Sequence, residues 1–297
     1  MIGLIAVCLI WGTSWMAIKV SLVSVPPMLS AAIRFVLGTF MLAFMLRSRR
    51  EAFPPTRLFW GLGVMLGFVA FSIPFALTYW GQKQIPTGLA SVLFATFPFW
   101  VAALSHLYLP AERMNIWKVV GMVLGFVGIV VIFAGDLSVE DSFTVWGMGA
   151  IIASAFIQAI SMVIMRKHAG PFDSGALVMV GMAIGAVSLG LFSLLAEDYS
   201  TLRFDGEVVL AILYLGTFAS VVTFVTYFWL LKHIEAVFLS LTAFVTPIIA
   251  VVTGAFVLNE TVSADLALGS VLVLVGILAS NGKDVFEVVR KGRGFFH

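Results

Sequence analysis

The sequence predicts an all-α integral membrane protein of ten transmembrane helices, arranged as two inverted five-helix repeats. Three observations carry this: an apolar composition, ten apolar windows of spanning length, and a second half that echoes the first. Of 297 residues, 61% are hydrophobic and 11% charged, with a mean hydropathy of +1.11. A soluble domain carries roughly 25% charged residues. A chain this apolar cannot cover its surface with polar groups, so its main solvent is lipid. The net charge is +2, and the placement of the charges says more than their sum. The single cysteine, Cys8, precludes an internal disulfide and reads as a packing residue inside an apolar run.

A helix crosses the hydrocarbon core with roughly 20 apolar residues. Windows that meet this test span 3–22, 28–46, 58–79, 87–107 and 115–134. Five more span 145–165, 175–195, 208–230, 236–258 and 264–282. Turn and charge clusters such as SVPP, RSRREAFPPTR, RKHAGPFD and EDYSTLRFDGE separate them. The opening MIGLIAVCLIWGTSWMAIK lacks a basic n-region and a clear cleavage site, so it reads as the first span rather than a signal peptide. Lys and Arg divide unevenly between the two sides. The side shared by the N-terminus, the even-numbered loops and the C-terminus holds Arg47, Arg49, Arg50, Arg57, Arg113, Lys118, Arg166, Lys167, Lys232, Lys283, Arg290, Lys291 and Arg293. The other side holds Lys19, Lys83 and Arg203, and Arg34 lies inside a span. The positive-inside rule then puts both termini in the cytoplasm.

The echo has a register. A shift of 149 lays Trp80, Lys83, Ile85, Ser91 and Pro98 on Trp229, Lys232, Ile234, Ser240 and Pro247. A shift of 148 lays Glu112, Gly121 and Gly128 on Glu260, Gly269 and Gly276, and a shift of 147 lays Ser14 and Lys19 on Ser161 and Arg166. The chain therefore reads as repeat one over 3–134, repeat two over 145–282 and a basic cytoplasmic tail over 283–297. Five helices is an odd number, so the second copy enters the membrane upside down. Inverted pairs of this kind bind substrate near mid-membrane and exchange conformations between their halves.

Several stretches resemble one family. They are IWGTSWMAIK (10–19), IRF (33–35), TGLASVLFATFPFWVAALSHLYLPAER (87–113), GMVLGFVGIVVI (121–132), TPIIAVVTGAFVLNE (246–260) and GSVLVLVGILAS (269–280). Together they are similar to the drug/metabolite transporter superfamily, EamA-domain type, over nearly the whole chain. The resemblance implies a ten-helix carrier for amino acids, other metabolites or drugs. The family's second repeat often has a tryptophan where this chain has Gln158, the repeat mate of Trp11.

Candidate substrate-binding residues follow from position. Arg34 is the one strongly charged side chain well inside a span, and a buried charge should face protein or water. It reads either as an anion-binding group for a substrate carboxylate or as a brace that snorkels or holds carbonyls. Trp11, Ser14 and Trp15 share a helical face, as do Gln158, Ser161 and Met162. These mates are either walls of a central cavity or packing residues with back-bonded serines. Tyr79 and Trp80, like Tyr227 and Trp229, lie near helix ends, where aromatic belts are usual; Tyr79 and Tyr227 are also cavity candidates. Pro74, Pro98 and Pro247 are gating or kink candidates, or fixed shape. His106 reads either as a packed or interfacial histidine or as a proton-coupling group, since a lone membrane histidine can titrate near neutrality. Glu112 and Glu260 read as caps or turns, and Gly63/Gly67, Gly121/Gly125 and Gly181/Gly185 as small-residue pairs for packing within the bundle or for dimerisation.

The fifteen Asp and Glu residues fall in loops or at helix ends. The drug–proton exchange that the resemblance to small multidrug-resistance relatives would imply, through a carboxylate in the first helix, therefore cannot be carried over, and neutral or zwitterionic solutes are favoured over cations. Neither metal ligands nor a nucleophile–base set can be assembled, so no catalytic residue, metal or cofactor is expected. The expected partners are a small-molecule substrate and the lipid bilayer, not nucleic acid; monomer and homodimer stay open. The preferred reading is a bacterial inner-membrane exporter of amino acids or related compounds. The alternatives are a carrier of sugars, nucleosides or other neutral metabolites, and a membrane enzyme or non-transporting partner.

Overall fold

The computed structural model describes residues 2–49, 53–108, 116–136, 142–170, 172–233 and 242–292. Among them the chain forms ten helical spans. In the first repeat α1 is Ile2–Ser21, α2 Pro27–Ser48, α3 Arg57–Gln84, α4 Thr87–Tyr108 and α5 Ile116–Asp136. In the second, α6 is Ser142–His168 and α7 Ser174–Ala196. Three consecutive pieces, Gly206–Gly216, Thr217–Val222 and Thr223–His233, make α8. Then α9 is Thr242–Val257 and α10 Ala264–Gly292. Seven spans are long and apolar enough to cross a membrane, and shorter apolar helices at Ile116–Ile132, Val245–Val257 and Ala264–Ala279 supply the remaining three. Large apolar side chains such as Phe40, Phe44, Phe126, Leu195 and Phe256 stand exposed on the outside, as a lipid-facing surface requires. This is a multi-pass membrane protein.

Two spans carry π turns at matching places, over Leu66–Ser72 in α3 and Thr217–Val222 in α8. In each, a serine hydroxyl donates five residues back, Ser72 to the Gly67 carbonyl at 2.7 Å and Ser220 to the Leu215 carbonyl at 2.9 Å. The three predicted prolines differ in effect. Pro74 enters just after the α3 π turns, and Pro98 begins the second piece of α4 after a turn at 95–96. Pro247 lies inside a continuous α9. The last helix runs past 282 to Gly292, so the predicted tail boundary falls inside α10.

Among the described residues the interior has two large cores and two small clusters, and each large core draws on matching helices of both repeats. One gathers α2, α3, α7 and α8 around Phe35, Phe59, Phe71, Leu177, Met182 and Leu215. The other gathers α4, α5, α6, α9 and α10 around Leu93, Phe99, Ile132, Ile151, Val273 and Ile277. Glycines set the closest approaches. A Cβ on Gly128 would lie 2.6 Å from the Gly269 carbonyl, and one on Gly276 would lie 2.5 Å from the Gly121 carbonyl. Gly121 and Gly128 are the repeat mates of Gly269 and Gly276. A pseudo-twofold that swaps the repeats therefore turns one contact into the other. The same holds at the π turns: Gly67 would meet Ile184 at 2.5 Å and Gly216 would meet Leu37 at 2.8 Å, and each pair is the other's image. Gly63/Gly67 and Gly181/Gly185 likewise pack inside the bundle, against Val180 and Ile184 and against Phe71 and Phe35.

Candidate functional site

Arg34 projects from the middle of α2 into a junction with α3 and α8, and is 3% exposed. Its Nε donates to Ser220 Oγ at 2.8 Å, one terminal nitrogen to Tyr79 Oη at 3.3 Å, and the other to the Ala219 carbonyl at 3.2 Å. The guanidinium carbon lies 5.0 Å from the centre of the Phe75 ring and 5.8 Å from that of Phe35. Among the described residues no carboxylate stands within ion-pair distance of it. Dipoles and ring faces thus hold a buried charge that would otherwise cost several kcal/mol to desolvate. Two hydroxyls and one carbonyl, from α3 and α8, hold the Arg34 guanidinium in this conformation. Tyr79 is fully buried, so its place near a helix end does not make it a belt residue.

Ala219 lies within the α8 π turns. Its repeat mate, Ala70, lies within those of α3. The Ala70 carbonyl also accepts from the opposite repeat, from Gln158 Nε2 at 3.4 Å. Each repeat therefore offers one mid-span carbonyl to a polar side chain of the other, Arg34 in one direction and Gln158 in the reverse. π turns displace the regular backbone ladder and are common at functional positions.

A seam of aromatic rings joins the repeats. Trp11 meets Phe224 edge-on at 5.8 Å between centroids and Tyr227 at 5.0 Å. Phe224 meets Phe71 at 5.5 Å, Phe71 meets Phe35 at 5.2 Å, and Phe35 meets Phe75 at 4.7 Å, beneath Arg34. Trp11, Tyr227, Phe224 and Phe75 are only half-buried. Trp15 belongs instead to the other core, where it meets Phe94 at 5.4 Å while its carbonyl accepts from Gln82 Nε2.

The two predicted serines bond to their own helix, Ser14 to the Trp11 carbonyl at 2.7 Å and Ser161 to the Gln158 carbonyl at 2.8 Å. Their identical bonds reinforce the repeat but leave no hydroxyl proton for a solute. Polar residues that the sequence reading passed over sit nearby. Thr13 Oγ1 and Tyr214 Oη are 2.6 Å apart between α1 and α8, and Thr78 and Ser154 share a bond of 2.7 Å between α3 and α6. Only an α1 face extended to Thr13 would have hinted at the first pair. Glu112 and Trp229 fall outside the residues whose side chains are described.

Ten spans with equivalent cross-repeat contacts define a membrane protein of the inverted-repeat transporter class. The profile of the EamA-like transporter family matches residues 1–134 and again 145–282, and the chain belongs to that family. It is 29% identical to the uncharacterized transporter YoaV of Bacillus subtilis (strain 168) over 283 residues, 93% of this chain and 94% of that one. It is also 29% identical to the uncharacterized inner membrane transporter YedA of Escherichia coli (strain K12) over 288 residues, 96% of this chain and 91% of that one. One solved crystal structure superposes with a TM-score of 0.69 at 22% identity, over 94% of this chain and 96% of the other, a likeness of fold.

Proposed function

We propose that this transporter is a secondary carrier of small neutral or zwitterionic metabolites, amino acids or related compounds foremost. It exports them across a bacterial inner membrane by alternating access between its two repeats, with both termini in the cytoplasm. The observation that carries the reading is the reciprocal pair of π-turn carbonyls, Ala219 bonded by Arg34 and Ala70 bonded by Gln158. A substrate site placed between these two equivalent carbonyls would straddle the pseudo-twofold axis that exchanges them, although their donors come from different helices, α2 and α6. There, a swap of conformations presents it first to one side and then to the other.

In this reading Trp11 and Tyr227 are the flat apolar walls and Gln158 the neutral polar group. Arg34 is the charge that a substrate carboxylate pairs with. A guanidinium has five N–H donors; three of them are engaged by the fold, and no described carboxylate neutralises the group. Tyr79 orients Arg34, while Ser14, Ser161 and Trp15 shape the walls from behind. Pro74, Pro98 and Pro247 set the bends about which the spans rearrange. The three bonds that already hold Arg34 favour a second reading, in which it is purely a brace and the solute is a sugar, nucleoside or other uncharged metabolite.

Thermal unfolding in a panel of amino acids, sugars and nucleosides separates the two. A ligand at a hundred times its Kd stabilises by about 2.7 kcal/mol. Under the first reading amino acids raise the melting temperature, and Trp11→Ala or Gln158→Ala abolishes the rise. A response to sugars or nucleosides alone, unchanged by those substitutions, would refute it.

A further inference from the structure

Two helices of the first repeat open with a proline at the capping position, Pro26 before α2 and Pro86 before α4. Proline offers no side-chain acceptor to the free N–H groups of a helix start. In both helices a carboxylate of the second repeat supplies it. Glu197 accepts from Met28 N at 2.8 Å and Leu29 N at 3.0 Å. Glu260 accepts from Thr87 N at 2.9 Å through both oxygens, and from Gly88 N at 3.4 Å. By contrast α3, α7 and α10 are capped by their own Thr56, Asp173 and Ser263.

Both borrowed caps join a helix of the first repeat to its mate in the second, and they differ in where those pairs touch. Glu197 follows α7, which touches α2 from Leu46 beside Gly175 to Ala32 beside Gly190. Its bonds lie inside one continuous helix pair. Glu260 instead fastens the start of α4 to the end of α9, where Gly88 rests on Val251 and Thr87 on Gly254. Asn259 takes the left-handed conformation, φ 54°, and the Glu260 amide bonds back to the Gly254 carbonyl at 3.1 Å. This turn folds the carboxylate over Gly254, whose missing side chain leaves room for it. Lys19 of α1 holds the other side of the same corner, donating at 2.8 Å to the carbonyls of Gln82 and Ile85 at the end of α3. An anion thus meets the positive end of α4 and a cation the negative end of α3.

We propose that Glu260 is the latch of the gate on this membrane face. Bound to the Thr87 and Gly88 amides it keeps the two repeats shut, with Lys19 fixing the corner it closes on. The face opens when the carboxylate leaves those amides. Glu260 is a positioning residue that touches no solute. The proposal rests on alternating access, but its test needs no substrate, so its failure leaves the transport reading to be judged separately.

The test uses the full chain in a Cys8→Ser background. Ser91→Cys is the reporter, a buried position one turn below the latch whose hydroxyl bonds to the Gly88 carbonyl. A membrane-impermeant thiol reagent is applied to right-side-out and to inside-out vesicles. Glu260→Gln should speed labelling from the latch face roughly tenfold, the factor expected from weakening one charge-assisted hydrogen bond. Glu197→Gln, which weakens the other borrowed cap, should leave the rate unchanged. Independently, a Cβ on Gly88 would stand 3.5 Å from that of Val251, at the near end of the disulfide range of about 3.5–4.5 Å. A Gly88→Cys/Val251→Cys pair should oxidise readily, and several-fold more slowly once Glu260→Gln is added. Unchanged labelling in a Glu260→Gln protein that still melts cooperatively would overturn the proposal. Equal acceleration by Glu197→Gln would overturn it as well.

Discussion

Gly128→Ala tests the inverted pairing of the repeats where it is tightest. The added Cβ would lie 2.6 Å from the Gly269 carbonyl oxygen and 2.9 Å from the Val273 nitrogen, both backbone atoms of α10. Heavy atoms rest at about 3.5–4.0 Å, so the helices must part by about 1 Å at the crossing. Overpacking costs about 1–3 kcal/mol, and backbone cannot rotate aside, so the upper end applies. Alanine recovers about 1 kcal/mol of helix propensity, which leaves a net loss of about 2 kcal/mol. In a chain this long each kcal/mol moves Tm by roughly 2–4 °C, so the expected fall is about 4–8 °C. Gly276→Ala should match it, because its Cβ would lie 2.5 Å from the Gly121 oxygen and 2.6 Å from the Gly125 nitrogen. Gly61 and Gly149 have nothing within 4 Å of a built Cβ, and alanine there should hold or raise Tm. Intrinsic tryptophan fluorescence during a thermal ramp, in lipid nanodiscs, reads all four. Equal melting of Gly128→Ala and Gly61→Ala would refute the reasoning.

Arg34→Lys keeps the charge but loses the fork that reaches Ser220 and Ala219 together, and should cost about 2–4 kcal/mol, close to Arg34→Met; stability matching the unsubstituted protein would contradict the brace. Cys8 is buried and should resist maleimide in the folded protein and react on unfolding, as mass spectrometry would read. The hydroxyl and then the amide of Ser200 hold the Asp198 carboxyl below its usual range. A depressed carboxyl contributes stability above its unfolded pKa and loses it as pH falls through the folded value. Ser200→Ala should therefore raise the Asp198 pKa in an NMR titration, and the small stability that this bond contributes should be missing at neutral pH and the difference should fade in acid.

The helices and their doubling were legible because lipid demands long apolar runs and because insertion in opposite senses leaves a charge parity. The mates Gly121/Gly269 and Gly128/Gly276 could be aligned by eye, though not the fact that they cross. The π turns were not legible: Pro74 accompanies the first, but its mate in the second is Thr223, and the serine and glycine that both turns share recur throughout the other spans. Arg34 was visible as an outlier, whereas Ser220 and Ala219 lie more than 180 residues away and only the fold brings them near. Lys19 looked like a loop charge because its ammonium works beyond the end of its own helix. Glu260 read as a cap, but the helix it serves begins 173 residues earlier.

Counterflow in liposomes tests the central claim most directly. Purified protein is reconstituted, loaded with unlabelled solute, and given trace labelled solute outside, across a panel of amino acids, sugars and nucleosides. Alternating access predicts saturable uptake of one or a few amino acids, stimulated by the same solute inside and lost in Trp11→Ala and Arg34→Ala. Uptake indifferent to the solute inside, or no uptake across the panel by protein that melts cooperatively, would contradict it.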